Sequence, residues 1–270
     1  MTPLDDYVQI AGLLYPSLLA AAATGVGGSA VGTFVLLRRE PLAALALPHV
    51  VAVGAAVALR MAWPALPAAL GSVALAVAVL AWAKRNAAEH WVLPALYVAG
   101  LSVSFLVIAN SGAHLAELQN LFTGIEVAVT PFQAAVAAPA LLAAGAACAL
   151  LWRRWLALAQ VPPAAELAGL HPARWDVCFL CLLALVTVLG TSTVGAVMVV
   201  AMLFLPAGAA LPWAGRLPGA LVAASVIALL VLAAGFVLSV EMQWPFSQST
   251  GGAGFAVLLA SHAARRLRRI

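Results

Sequence analysis

Residues 37–59 read LRREPLAALALPHVVAVGAAVAL. Two arginines, Arg38 and Arg39, precede a long apolar run that contains one histidine, His49. Ten residues separate His49 from Arg39, about 15 Å of rise on an α-helix, which is close to mid-bilayer depth if the helix spans. Basic residues mark the end of a membrane helix, and an ionisable group inside one points to function. An imidazole bonded to a carbonyl or hydroxyl of a neighbouring helix would account for the same histidine.

Composition identifies the solvent. Of the 270 residues, 65% are hydrophobic and 8% charged, with a mean hydropathy of +1.09. A soluble domain carries about 25% charged residues. This chain has too little charge to cover a water-facing surface, so lipid is the solvent for most of it. The first residues, MTPLDDYVQIAGLLYPS, carry two acids where a signal peptide would carry bases, and no removable signal is expected. Cys148, Cys178 and Cys181 lie in apolar runs. The CFLC spacing has no His or Cys pair to complete a zinc site, so these residues read as small apolar side chains.

Apolar stretches of spanning length fall at 11–36, 42–62, 65–83, 91–110, 131–152, 175–192, 193–212, 219–240 and 251–264. The last is short, and GTSTVG alone divides the block 175–212, so eight or nine spans are expected in one transmembrane domain over 1–270. Basic residues fix the orientation. With nine spans and the N-terminus outside, Arg38/Arg39, Lys84/Arg85, Arg153/Arg154, Arg174, Arg216 and the tail RRLRRI all fall in the cytoplasm, and Arg60 alone falls outside. The tail reads as an anchor on anionic lipid rather than a nucleic-acid arm.

Two polar segments interrupt the apolar pattern. The outer one, about 111–130, contains HLAELQNLF and reads as a short interfacial helix. The cytoplasmic one, about 155–174, contains PPAAELAGL, with proline where a helix can begin and glycine where it can end. Such a helix lies on the membrane surface or docks a cytoplasmic partner. A phosphate-cradling loop requires G-x-x-x-x-G-K-[ST], and the single lysine, Lys84, has no such context. Transport would therefore use ATP hydrolysed by another subunit, or an ion gradient. An ion-coupled secondary transporter would be expected to carry paired intramembrane acids and a repeat, and neither is legible. An intramembrane hydrolase would need Ser192 with His49 or His262 as base, and nothing in the sequence orients that base.

Four blocks together resemble the permeases of metal-type (zinc, manganese, iron) ABC importers. GTFVLLRREPLAALALPHVVAVGAAVA resembles the family's second-helix signature. NLFTGIEVAVTP, AELAGLHPARWDV and STVGAVMVVAMLFLPAGAA are similar to its outer stretch, its coupling segment and its PAA-type helix pair, in the same order. The resemblance implies an all-α helix bundle similar to the cobalamin-importer type of transmembrane domain. It implies an inner-membrane homodimer on two ATP-binding cassette subunits, fed by an extracytoplasmic substrate-binding protein. ATP would sit on the partner, and this chain would hold no cofactor. Glu166, Leu167, Gly169 and Leu170 occupy the positions of the ATPase-coupling segment. His49 occupies the position of the family's metal-pathway histidine, with Glu126 as a candidate carboxylate, each a weak metal ligand. Leu45 and Ala44 stand where zinc and manganese members carry an aspartate, and QWPFSQSTGG lacks the later one. The implied cargo is a metal ion or a metal chelate.

Overall fold

The computed structural model describes residues 3–109, 129–160, 165, 167 and 169–268. Ten helices carry the described fold: α1 (Pro3–Leu13), α2 (Tyr15–Leu37), α3 (Pro41–Met61), α4 (Ala65–Arg85), α5 (Glu89–Ala109), α6 (Pro131–Gln160), α7 (Pro172–Val194), α8 (Ala196–Ala210), α9 (Leu217–Met242) and α10 (Phe246–Leu267). A single 3-10 turn, Leu211–Trp213, extends α8. No strand occurs among the described residues. Eight helices, α2 to α9, are long and apolar enough to cross a membrane. The last helix, α10, has 22 residues, longer at both ends than the sequence predicts, but its first turns are polar.

Proline places the helix starts. Pro16, Pro41, Pro172 and Pro218 sit in the first turns of α2, α3, α7 and α9, where the missing N–H costs nothing. Two sequence boundaries are corrected. The stretch 11–36 is not one span, because the chain breaks at Leu14 before Pro16, and α1 is a separate short helix. The span 175–192 runs two residues further, because α7 continues to Val194 and the break falls at Gly195 alone. Gly195 has φ 86° and ψ 160°, a region essentially closed to residues with a side chain.

The helix α2 is the mast of the bundle. It packs most extensively against α6 and α8, then against α9 and α7. Apolar burial gives no net gain between helices in lipid, so close packing of small residues must hold them. The GVGGSAVG run supplies that contact. A methyl group on Gly27 would overlap the Leu141 carbonyl, one on Gly32 the Leu203 carbonyl, and Gly145 of α6 lies directly against Gly27. Thr24 and Thr33 donate to the carbonyls of Ala20 and Ser29, both at 2.8 Å, so these buried hydroxyls are satisfied within α2.

A second group, α3, α4 and α5, packs side by side, and α7 joins it to the mast by touching α2, α3, α4, α6 and α8. The helix α10 covers α8 and α9. At one end of the bundle, the Tyr7 hydroxyl donates to the Glu241 carboxylate, and the Tyr7 ring meets Phe236 edge-on. That hydrogen bond is the chief reason the Tyr7 phenol is held above its ordinary pKa. Glu241 is therefore an anchor for α1 rather than a free charge at a helix end. Trp244 is exposed, as an interfacial aromatic should be, whereas Phe246 turns inward against Phe236.

Candidate functional site

His49 lies near the middle of α3, one residue after Pro48. Its ring meets Tyr97 of α5 edge-on, with centroids 4.9 Å apart. Gly100 of α5 permits this approach, since a methyl group there would stand 3.1 Å from the His49 Cβ. On the other side, Ser72 of α4 donates to the Val50 carbonyl at 3.0 Å, and Gly54 lies against Ala68 and Ala69. Two glycines and one serine thus clamp α3 between its neighbours at the level of the histidine. Among the described residues no three His, Cys, Asp or Glu side chains are grouped as a metal site. Glu126 lies outside the described residues, so its position relative to His49 is not part of this geometry.

The connection between α6 and α7 is described in part. Glu166 lies outside the described residues. Ala165 is buried, and its carbonyl accepts the Leu170 N–H at 3.0 Å. Gly169 has φ 79°, so this is a glycine-capped helix end closed by a 6→1 hydrogen bond. Leu170 packs against the core. Leu167 is 92% exposed, a leucine that the cap holds out from the protein. The sequence-predicted glycine stop is therefore present. Open space surrounds Gly169, so its backbone conformation, not crowding, is what requires glycine.

A group that sequence reasoning missed lies beside this connection. Arg38, the C-cap of α2, binds Asp176 of α7 and also Glu40, the latter at 3.0 Å. Lys84 of α4 reaches the same Glu40 oxygen at 2.6 Å. The Arg38 side chain is only 6% exposed. Burial opposes its charge, but Glu40 and Asp176 outweigh that effect and raise its pKa. The guanidinium also lies over the Phe179 ring, 4.7 Å from its centroid. Phe179 meets Trp155 of α6, and Trp155 in turn meets Phe34 and Trp175. Beside the cluster is an open cavity of about 510 Å³, lined by both ends of the connection and by Arg38, Glu40, Lys84, Glu89 and Asp176. The signal available in sequence was RRE at a span end, which positive-inside reasoning absorbs as an anchor.

Ser192 is no nucleophile in this arrangement. It lies one residue before Thr193 in the last turn of α7, and its hydroxyl donates to the Val188 carbonyl at 2.7 Å. Such bonding within the helix is the usual fate of serine in membrane helices.

Comparison with known proteins agrees with this architecture. The manganese transport system membrane protein MntC of Halalkalibacterium halodurans is 26% identical over 229 residues, covering 84% of this chain and 78% of that protein. PsaBC from Streptococcus pneumoniae, solved in complex with Fab, has the same fold, with a TM-score of 0.83 at 19% identity over 96% of this chain and 95% of that one. An inward-facing structure described as a metal-chelate type ABC transporter aligns less closely, with a TM-score of 0.63 at 18% identity over 91% of this chain and 86% of that one. The description of the ABC 3 transport family matches residues 11–263, and the chain is a multi-pass membrane protein that belongs to this family.

Proposed function

We propose that this chain is the permease subunit of an ATP-driven importer of a divalent metal, with manganese as the first candidate and zinc or iron next. The observation that carries the reading is the family match across residues 11–263, and the manganese-transport relative supports the choice of cargo. Two copies would form the pathway by alternating access at their interface. Each would rest on an ATP-binding cassette subunit that hydrolyses ATP, and an extracytoplasmic binding protein would deliver the metal. With α10 as a ninth crossing after the eight apolar helices, the protein would sit in the inner membrane with its N-terminus outside and its C-terminus in the cytoplasm. Basic residues at the ends of α4 and α10 support that orientation.

The exposed Leu167, held by the Gly169 cap, is the side chain offered to a groove of the ATPase, with Glu166, Gly169 and Leu170 shaping the segment. His49 and Glu126 are the pathway residues. A neutral imidazole adds no charge, and stripping water from a dication without carboxylates is costly. The metal therefore crosses weakly held and partly hydrated, and selectivity rests with the binding protein. Weak binding suits a path that must release what it takes up.

The test is uptake of labelled manganese, zinc and iron by the reconstituted transporter carrying His49→Ala or Glu126→Gln. Normal uptake by both variants rejects these two residues as pathway ligands. Transport of a chelate but of no free ion replaces the free-ion reading. For the docking role, Leu167→Asp should abolish co-purification of the ATPase while leaving the permease in the membrane.

A further inference from the structure

The cytoplasmic connection leaves the bundle at the end of α6 and re-enters at the start of α7. Trp155 lies five residues before the end of α6, and Trp175 and Asp176 lie in the first turns of α7. Asp176 and Trp155 meet one structure, the junction of α2 and α3, and Trp175 packs on Trp155. Asp176 binds Arg38, Phe179 lies beneath the Arg38 guanidinium, and Trp155 packs on Phe34 and Phe179. Glu40, also bound by Arg38, is the N-cap of α3. From Glu40 to His49 is nine residues of helix, about 14 Å along a rod that transmits displacement along its axis.

We infer that Arg38 is a positioning residue of transport, which passes movement of the cytoplasmic connection to the helix that carries His49. This rests on the reading of that connection as the place where the ATPase docks. The physical warrant is the burial of the cluster. A guanidinium held at 6% exposure cannot part from its acids without leaving a desolvated charge, so α7 and the head of α3 move together while the cluster holds. Lys84 adds the end of α4 to the same unit, and α4 is one of the two helices that clamp α3 beside His49. Coupling of this kind travels through contiguous packed side chains, charged bonds and rigid helices.

The experiment uses the complete transporter in proteoliposomes and reads three quantities: ATPase co-purification, ATP turnover, and metal moved per ATP hydrolysed. Asp176→Asn keeps the side-chain shape and removes the charge. It should leave assembly and turnover near wild type and lower metal moved per ATP about tenfold, the factor set by losing one charge-assisted hydrogen bond. Asp176→Glu should restore the ratio. An unchanged ratio in Asp176→Asn overturns the inference. So does loss of ATPase binding in the Asn and Glu variants alike, because the residue would then be structural only. Phe179→Leu tests the aromatic support of Arg38 and should lower the ratio in the same direction. A wild-type complex that hydrolyses ATP and moves no metal refutes the functional reading itself, and that result is visible before any variant is made.

Discussion

Trp155 and Trp175 meet edge to face with ring centres 6.2 Å apart, joining the end of α6 to the start of α7 beneath the connection between them. Trp155 is fully buried, and its indole N–H has no hydrogen-bond partner among the described residues. Its contribution is therefore packing. Trp155→Ala should cost about 3–5 kcal/mol, read as an earlier unfolding midpoint in denaturing detergent. Trp155→Phe removes the unpaired N–H along with the second ring and should cost clearly less.

Two glycines of α2 should behave differently. At Gly28 a methyl group would find its nearest neighbour, the Met202 Cβ, at 3.6 Å, an ordinary contact. At Gly32 it would collide with the Leu203 backbone. Gly28→Ala should be recovered as folded protein from detergent extracts, and Gly32→Ala should force α2 and α8 apart and be lost to aggregation or proteolysis. Equal recovery of the two variants would contradict the packing described.

Gly195→Ala tests the joint between α7 and α8. With φ at 86° and ψ at 160°, alanine there should cost about 1–3 kcal/mol in backbone strain. The measurement is again the unfolding midpoint, with Gly219→Ala as the control, because no neighbour crowds Gly219.

The α1 anchor should loosen in alkali. Glu241 holds the Tyr7 phenol protonated to above its ordinary pKa, chiefly by their hydrogen bond. That stabilisation is fully present below the ordinary tyrosine pKa and is lost as pH rises through the raised value. Hydrogen exchange of residues 3–13, taken relative to the intrinsic base-catalysed rate, should accelerate in that window, and Tyr7→Phe should remove that excess.

Orientation can be read by labelling single cysteines introduced in a background without Cys148, Cys178 and Cys181. Trp63 lies exposed between α3 and α4, and Gly215 lies between α8 and α9. An impermeant reagent added to intact cells should label position 63 and spare 215. The reverse pattern would invert the proposed topology.

The spans and the glycine stop at Gly169 were legible in the sequence. Each is a local property, set by apolar length or by a backbone angle that only glycine tolerates. The ionic cluster was not legible. Arg38 and Asp176 are 138 residues apart in the chain, and each alone resembles a solvated charge at a span end. Only the packing of α2 against α7 brings them together. Nor is the inward turn of Phe246 legible, since an aromatic near a helix end belongs to lipid or to core depending on a neighbour, Phe236, that sequence position does not reveal. His49 stands out in the sequence as a lone imidazole in an apolar run, but the contacts that clamp it, Gly100 and Ser72, come from two other helices.

The burial of α2 has a consequence for biosynthesis. In the finished bundle 78% of its spanning window is covered by protein, by helices that follow it in the chain, α6, α7, α8 and α9. When α2 leaves the ribosome none of them exists. Its glycine, serine and threonine face must then wait in lipid, or beside the insertion machinery, until residue 131 and beyond have been made. A face shaped to meet other backbones at contact distance is poorly covered by acyl chains, so the interval before α6 arrives is when this protein is most open to capture by a membrane protease. Slowing translation between α5 and α6 should therefore lower its yield more than the same pause placed after α9.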